Sequence, residues 1–292
     1  MRMRGFAVLA TLALLGMCSA AQGQTGGYLD SFIAKVKPEK RAEFDAVSKR
    51  IAEANRRHKG DTWLTSEVIF GDGDTIYFTS VRENYGAVEK GYGSFMEALA
   101  KAGGGPAGAG KLMQEFESCL VSSRAELRRR RVDLSTNAPD PAAVEKMVGQ
   151  ARWLRTVIVH VRPGRAVEYA DALKEMKAAI EKGDPKRTTL VSQSAAGQHG
   201  VTFYLTMLAR SMSEFDDLQP LPKVVGEEAL QQFGKVAREA TLGNEVMISR
   251  FVPELSNPPE EIAAAAPDFW RPKPRPAMTK AKPKAEEAPK PQ

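Results

Sequence analysis

Apolar and polar residues alternate along two segments of the chain, and a helical pattern follows each of them. The alternating apolar residues are Phe32, Ala34 and Val36 in the first segment and Val157, Val159 and Val161 in the second. A spacing of two is typical of a β-strand with one buried face. The helical patterns place apolar residues three or four positions apart, which indicates a stripe that covers a sheet. We therefore predict strands over 28–37 and 153–162, and helices over 39–58 and 165–182.

The two segments also share sequence. The stretch Val36–Phe44 reads VKPEKRAEF, and Val161–Tyr169 reads VRPGRAVEY, 125 positions further along (position 161 against position 36). The stretch Ile76–Thr79 (IYFT) matches Phe203–Thr206 (FYLT), 127 positions further along (position 203 against position 76). Matches in the same order at nearly the same shift predict an internal duplication.

The remaining patterns give each copy the same order of elements. A hairpin, a helical region and a last strand follow the first helix, over 62–82, 84–117 and 119–127 in one copy and 188–209, 213–241 and 245–255 in the other. This β-α-β-β-α-β order is the ferredoxin-like one, so the predicted class is α+β. The predicted segments are a signal peptide (1–23), a first repeat (24–132), a linker with a short helix (133–151), a second repeat (152–255) and a disordered tail (256–292).

Two such repeats resemble the dimeric α+β barrel superfamily, which includes NIPSNAP-type and antibiotic-biosynthesis monooxygenase-like proteins. In that superfamily two sheets meet face to face as a barrel, with helices outside. The resemblance therefore implies that the two repeats pair as a pseudo-dimeric barrel within one chain. The physical reason is that a sheet with helices on one face must bury its other face as well. The resemblance rests on element order and repeat spacing, so it brings no activity with it.

The two ends of the chain differ from its middle. Arg2 and Arg4 precede the apolar run Phe6–Met17, and small residues follow, which is the layout of a secretory signal peptide. We therefore expect a periplasmic or secreted protein with no membrane span in its mature chain. From Ser256 onward, prolines mix with Lys, Ala and Glu, which predicts disorder except where Phe269 and Trp270 dock.

Charge gives little support for a nucleic-acid partner. The net charge is +6, but the signal segment and the tail carry most of it, so we predict no nucleic-acid binding. The run Arg128–Arg131 is a concentrated basic patch after a predicted strand. We interpret it as a solvated connector, with contact to an anionic surface or partner as the alternative.

Six polar side chains are predicted to line a cavity inside the barrel. They fall on the strand faces that do not meet the helices, and they are Lys35, Tyr77, Thr79, His160, Tyr204 and Thr206. An apolar cavity with a few polar groups is the usual form of a small-molecule site, so we expect a small apolar or aromatic ligand. Arg124 and Arg250 are expected near its rim. The alternative is that the hydroxyl groups bond to one another in a filled core.

Other chemistry is not indicated. Gly105–Lys111 matches the start of a phosphate-binding loop, but Leu112 stands where a magnesium-holding hydroxyl is needed. The three histidines, His58, His160 and His199, are not spaced as a metal site. The sequence therefore predicts no cofactor and no metal.

Three functions remain as hypotheses. The leading one is an exported small-ligand-binding protein without catalysis. The first alternative is a cofactor-independent oxidoreductase or monooxygenase of the same fold. The second is a cell-envelope interaction protein whose basic, proline-rich tail reaches a partner.

Overall fold

The computed structural model describes residues 25–271, so the predicted signal peptide and the tail beyond Arg271 lie outside the described residues. The strands are β1 (Thr25–Val36), β2 (Leu64–Phe70), β3 (Thr75–Arg82), β4 (Leu120–Arg131), β5 (Trp153–Val161), β6 (Leu190–Ala196), β7 (Val201–Ala209) and β8 (Thr241–Phe251). The helices are α1 (Arg41–His58), α2 (Tyr85–Gly103), α3 (Pro106–Ser118), α4 (Pro141–Gln150), α5 (Ala166–Gly183), α6 (Leu221–Val225), α7 (Glu227–Ala240), α8 (Glu260–Ala265) and α9 (Pro267–Trp270). Within these residues, none of the helices has the length and apolar content needed to cross a membrane.

The strands form a closed barrel in the order β1-β3-β2-β8-β5-β7-β6-β4. Every neighbouring pair is antiparallel, so β1 and β5 point to the same end of the barrel. Strands β1–β4 occupy one continuous stretch of the barrel and β5–β8 the other; β2–β8 and β4–β6 pairing joins them. The prediction of an α+β fold is confirmed, and closure leaves the barrel without free sheet edges along its joined strands.

Helices cover the outer faces of the strands that the alternation predicted. In the first half, Ala34 and Val36 belong to one core with Phe44 of α1 and Phe116 of α3. In the second half, Val159 and Val161 belong to a core with Tyr169 of α5 and Phe203 of β7. The residues of opposite parity therefore face the barrel interior. Burial of these apolar stripes is what holds the helices against the sheet.

The C-terminal segment covers the end of the barrel where β1 and β5 begin. Trp270 is fully buried, contacts the Phe251 ring at 5.3 Å between centroids, and donates a hydrogen bond from Nε1 to the Gly149 carbonyl oxygen at 2.8 Å. The prediction of disorder from Ser256 is wrong for residues 256–271. The reason is that Ile262 and Trp270 pack on apolar residues at a barrel end that would otherwise be exposed to solvent. The expected docking of Phe269 and Trp270 is confirmed.

The basic run is not a connector. Strand β4 continues through it to Arg131, because β4 pairs with β1 on one side and with β6 on the other. Alternation then sends Arg128 inward, where it is 9% exposed, and Arg129 outward, where it is exposed. Arg131 binds Asp133 at 2.7 Å and the side-chain oxygen of Gln193 at 2.6 Å. The interpretation of Arg128–Arg131 as a solvated segment is therefore wrong.

Replacing Trp270 by alanine is expected to lower the free energy of unfolding by about 3–5 kcal/mol, because it opens a cavity beneath the C-terminal segment. Denaturant titration of the purified protein measures the change. Val167→Ala is the control: Val167 is 73% exposed on α5, so its loss should shift the free energy of unfolding by no more than about 0.5 kcal/mol. Equal effects of the two substitutions would contradict the covering role of Trp270.

Candidate functional site

Strand register places the interior side chains of the first half in layers. Lys35 lies level with Thr75 and Ser122, nearest the end of the barrel where β1 and β5 finish, which we call the mouth. Ile33, Tyr77 and Arg124 form the next layer, and Ser31, Thr79 and Glu126 the one below it. Filling a barrel by layers of inward side chains is the usual solution for eight strands.

The second half has matching layers with different chemistry on its last strand. His160 lies level with Thr202, Ile158 with Tyr204 and Glu245, and Thr156 with Thr206 and Met247. Tyr77 and Tyr204 therefore occupy the same layer of the two halves. The corresponding positions of β4 hold Arg124 and Glu126, whereas β8 holds Glu245 and Met247. The charged side chains inside the barrel therefore differ between its two halves.

Glu126 is the centre of a buried polar cluster. Its side chain is fully buried, and Oε2 accepts hydrogen bonds from Arg128 Nε at 2.9 Å, Arg128 Nη2 at 2.6 Å and the Tyr204 hydroxyl at 3.0 Å. Oε1 accepts from Arg124 Nε at 2.9 Å and from the Gln198 amide. Tyr204 is on β7 and Glu126 on β4, so this bond spans the barrel past β6.

The Arg128 guanidinium lies over the rings of both interior tyrosines. Its central carbon lies 3.7 Å from the Tyr204 ring centroid and 5.7 Å from the Tyr77 ring centroid. A guanidinium over an aromatic face is a favourable cation–π arrangement. The Tyr77 hydroxyl, by contrast, has no hydrogen-bond partner among residues 25–271, although Tyr77 is only 8% exposed. It is therefore an unpartnered polar group on the interior face of β3.

The cluster fixes the charges of its members. Burial by itself would raise the pKa of Glu126, but the Arg128 guanidinium, helped by Arg124, outweighs burial and lowers the pKa of this carboxyl. Burial raises the pKa of the Tyr204 hydroxyl, and it also raises the pKa of Tyr77, with a smaller opposing effect of Arg128. The interior therefore holds an ionised carboxylate, cationic guanidinium groups and neutral phenols at neutral pH.

The six residues predicted from sequence all lie on interior faces, but the structure does not gather them at one point. Tyr77 and Tyr204 are brought together around Arg128. Lys35 and His160 lie at the mouth: Lys35 binds Asp72, while His160 contacts Thr202 Oγ1 through Nδ1 at 3.2 Å and Glu245 through Nε2 at 3.6 Å.

The two threonines of the predicted set bond to neighbours within their own layer. Thr79 Oγ1 lies 3.0 Å from the Ser31 hydroxyl, and Thr206 Oγ1 lies 3.0 Å from the Thr156 hydroxyl. These paired hydroxyl groups tie β1 to β3 and β5 to β7. These two threonines therefore agree with the alternative to a ligand cavity, in which hydroxyl groups bond to one another in a filled core.

Sequence reasoning missed Glu126, Arg128 and Gln198. The signal for the first two was present, since Arg124, Glu126 and Arg128 alternate along one strand and share one face. Ending that strand at Leu127 concealed the pattern. Gln198 belongs to the turn between β6 and β7, where no strand periodicity identifies it.

An open cleft lies at the mouth beside this cluster. Its volume is about 270 Å³, and its polar lining consists of Lys35, Asp72, Thr75, Ser122, Ser123 and Arg124. A second cleft, of about 420 Å³, lies near Arg152, Arg250 and Phe269 where the C-terminal segment meets the barrel. Among the residues that the structure describes, no three His, Cys, Asp or Glu side chains converge as a metal site would require.

Replacing Glu126 by glutamine is expected to lower the free energy of unfolding by about 3–5 kcal/mol at pH 7, since Arg128 would keep its buried charge without a counter-ion. Because the folded pKa of Glu126 is lowered, its contribution exists above the ordinary glutamate pKa of about 4.3 and is lost as the pH falls through the folded value. The difference between wild type and variant should therefore narrow below about pH 4 in denaturant titrations. Glu53→Gln, at an exposed position of α1, is the control and should change little. A constant difference across this range would be inconsistent with the lowered pKa.

The buried tyrosines predict the opposite behaviour in alkali. Burial raises the pKa of Tyr169 to about 12, and the pKa values of Tyr77 and Tyr204 are raised too. The free energy of unfolding should fall as the pH rises above about 10, because the unfolded tyrosines ionise there while the folded ones do not. Tyr169→Phe should make this decline shallower, as measured by denaturant titration from pH 9 upward, whereas an unchanged slope would argue against the raised pKa.

The fold has known relatives among solved structures. An anthrone oxidase-like protein superposes with a TM-score of 0.50 and 13% sequence identity, over 78% of this chain and 92% of that one. A protein provisionally assigned as a monooxygenase, from Lactobacillus acidophilus NCFM, gives a TM-score of 0.46 and 11% identity over 79% and 96% of the two chains. Chlorite dismutase from Candidatus Nitrospira defluvii, in complex with imidazole, gives 0.45 and 11% over 83% and 96%. No protein-family model and no curated protein matches the chain.

These comparisons concern the fold, and they correct the leading hypothesis on function. The prediction of a ligand-binding protein without catalysis is wrong, because the anthrone oxidase-like protein that shares this fold is named after an enzyme. The alternative, an oxidoreductase or monooxygenase of the same fold, agrees better with that comparison. At 13% identity the likeness is one of architecture: this chain has a ferredoxin-like α+β barrel fold.

Proposed function

We propose that this protein is a cofactor-independent oxidoreductase or monooxygenase that oxidises a small, electron-rich aromatic molecule in the upper part of the barrel. The observation that carries the proposal is the Glu126 cluster beside the unpartnered Tyr77 hydroxyl. An aromatic substrate reacts with dioxygen more readily after losing a proton, since the anion gives up electrons more easily. Positive charge close to that anion favours its formation.

The residues of the site divide into three roles in this proposal. His160, at the mouth, is oriented through Nδ1 by Thr202 and accepts the proton from the substrate at Nε2, where the nearby Glu245 carboxylate stabilises the imidazolium that forms. Arg124 and Arg128 stabilise the resulting negative charge. The Tyr77 hydroxyl donates a hydrogen bond to the substrate oxygen.

The other residues predicted from sequence support this arrangement. Lys35 lines the entrance together with Asp72. Tyr204 holds the Glu126 carboxylate, which in turn keeps both guanidinium groups in place. Thr79 and Thr206 form a layer beneath the substrate through their bonds to Ser31 and Thr156.

We also propose that the barrel arose by tandem duplication, with two ferredoxin-like repeats pairing as a pseudo-dimer. The support is that each half of the chain has the same strand order, β4-β1-β3-β2 and β8-β5-β7-β6. The sequence matches near Val36 and Val161 also fall at equivalent strand ends. In this view the first copy kept the charged cluster on β4 and the second copy lost it on β8.

We further propose that the protein is exported to the periplasm or secreted. The support is the signal-peptide layout of its amino-terminal segment.

Oxygen uptake with defined probes tests the activity. Anthrone, hydroquinone and 2,5-dihydroxybenzoate are supplied separately to the purified protein, before and after dialysis against a chelator. A monooxygenase converts anthrone and O₂ to anthraquinone and water, whereas an oxidase converts hydroquinone and O₂ to benzoquinone and hydrogen peroxide. Peroxide therefore separates the two reactions. No oxygen uptake above the uncatalysed rate with all three probes would contradict the proposal, and loss of activity on chelation would contradict its cofactor independence.

Tyr77→Phe is expected to reduce the rate of probe oxidation at least about tenfold, because it removes a hydrogen-bond donor aimed at the substrate. Arg129→Gln is the matched control: Arg129 lies on β4 beside Arg128 but faces outward, so its rate should stay at the wild-type value. Initial rates of oxygen uptake give both results. If the Tyr77→Phe variant oxidised the probe as fast as the control, Tyr77 would have no part in the reaction.

A further inference from the structure

We infer that the mouth cleft binds the acidic group of a small aromatic acid, either a carboxylate or a phosphate ester, through Arg124 and the hydroxyl groups of Ser122 and Ser123. This deepens the proposed function, on which it rests for the identity of the substrate. The binding step itself does not depend on turnover. It can therefore be tested separately.

Arg124 has unused hydrogen-bonding capacity directed at the cleft that it lines. Its Nε donates to Glu126 Oε1 at 2.9 Å, while its two terminal nitrogens have no partner within residues 25–271. The side chain is 54% exposed although its Nε is anchored to a fully buried carboxylate. The guanidinium is therefore held at one edge and open at the other. An open guanidinium edge matches the two oxygens of a carboxylate or the oxygens of a phosphate.

Two hydroxyl groups stand beside this guanidinium. Ser122 and Ser123 line the same cleft, and among the described residues neither hydroxyl has a hydrogen-bond partner. Hydroxyl groups can donate to an oxyanion that a guanidinium already holds. The cleft therefore offers both charge and further donors to an anion.

The charges around the cleft favour an anion. Lys35, Arg124 and Arg128 are cationic, and Asp72 and Glu126 are the carboxylates bound to them, so three cations face two carboxylates. Glu245 lies on β8 and is paired with His160. One positive charge thus remains in excess on the β1 and β4 side. The acidic group of a ligand would balance it.

The position of the cleft indicates what the rest of the ligand is. Ile33 also lines the cleft, and register places Ile33 and Arg124 in the same layer as Tyr77. A ligand whose acidic group meets Arg124 would extend its body toward Ile33 and the Tyr77 ring, both of which favour an apolar, flat group. The volume of about 270 Å³ lies just below the usual range for drug-sized ligands. A single aromatic ring with one acidic group suits these limits.

Calorimetric titration under anaerobic conditions tests this binding with benzoate, phenyl phosphate, benzamide and inorganic phosphate. Benzoate and phenyl phosphate carry the ring and the charge, benzamide carries the ring alone, and inorganic phosphate carries the charge alone. We expect the Kd of benzoate or phenyl phosphate to be at least about tenfold lower than that of the other two probes, and the better of the two identifies the acidic group. Benzamide or inorganic phosphate binding as tightly as the better of the two aromatic acids would overturn the inference.

Substitutions locate the site. Arg124→Gln should raise the Kd of the better-binding acid about tenfold to a hundredfold, since it removes charge-assisted hydrogen bonds. Ser122 and Ser123 are exposed, so replacing both by alanine should raise this Kd several-fold without affecting folding. Arg129→Gln should leave the Kd unchanged. Unaltered binding in both the Arg124 and the serine variants would overturn the site. Loss of oxidation with retained binding would refute the proposed function alone, whereas oxidation without acid binding would refute this inference alone.

Discussion

The ionised carboxylate of Glu126 in the middle of the barrel constrains the rest of the interior. A buried charge is tolerated only when partners replace the water it has lost. Glu126 has such partners on both of its oxygens, and they come from β4, β7 and the turn between β6 and β7. The cluster therefore depends on both halves of the chain being in place. Conversely, the halves are held in one relative position by a contact that has strict geometric requirements.

The same cluster determines which groups remain free for chemistry. Glu126 accepts two hydrogen bonds from Arg128 and one from Arg124. Arg128 is thereby held over the Tyr204 ring, while Arg124 keeps an open edge toward solvent. The Tyr204 hydroxyl is used in holding the carboxylate, whereas the Tyr77 hydroxyl, in the same layer of the other half, is not. Two tyrosines in equivalent positions thus differ in their hydrogen bonding because β4 carries Glu126 where β8 carries Met247.

Much of the fold could be predicted from local pattern. The alternation at Val157–Val161, the amphipathic stripe around Phe44 and the turn residues of both hairpins each indicate an element, and Asp140 accepts the expected capping bond from Ala143 at 2.9 Å. Errors occur where tertiary contacts extend or create an element. Strand β8 begins at Thr241, ahead of the predicted start at residue 245, because β5 supplies partners for it. Helices α8 and α9 form in a segment whose composition is typical of disorder, because the side chain of Trp270 is buried against the end of the barrel.

By itself the sequence determined where most strands and helices lie, that the two halves share one order of elements, and which strand faces carry polar groups, since these follow from spacing along the chain. Only the tertiary structure decided that β2 pairs with β8 and β4 with β6, and that Tyr204 reaches Glu126, a residue 78 positions away. Periodicity indicates which side of a strand is buried, but it does not indicate which strand lies next to it in the sheet. Closure of the barrel supplies that information, because it brings residues from distant strands within hydrogen-bonding distance of one carboxylate.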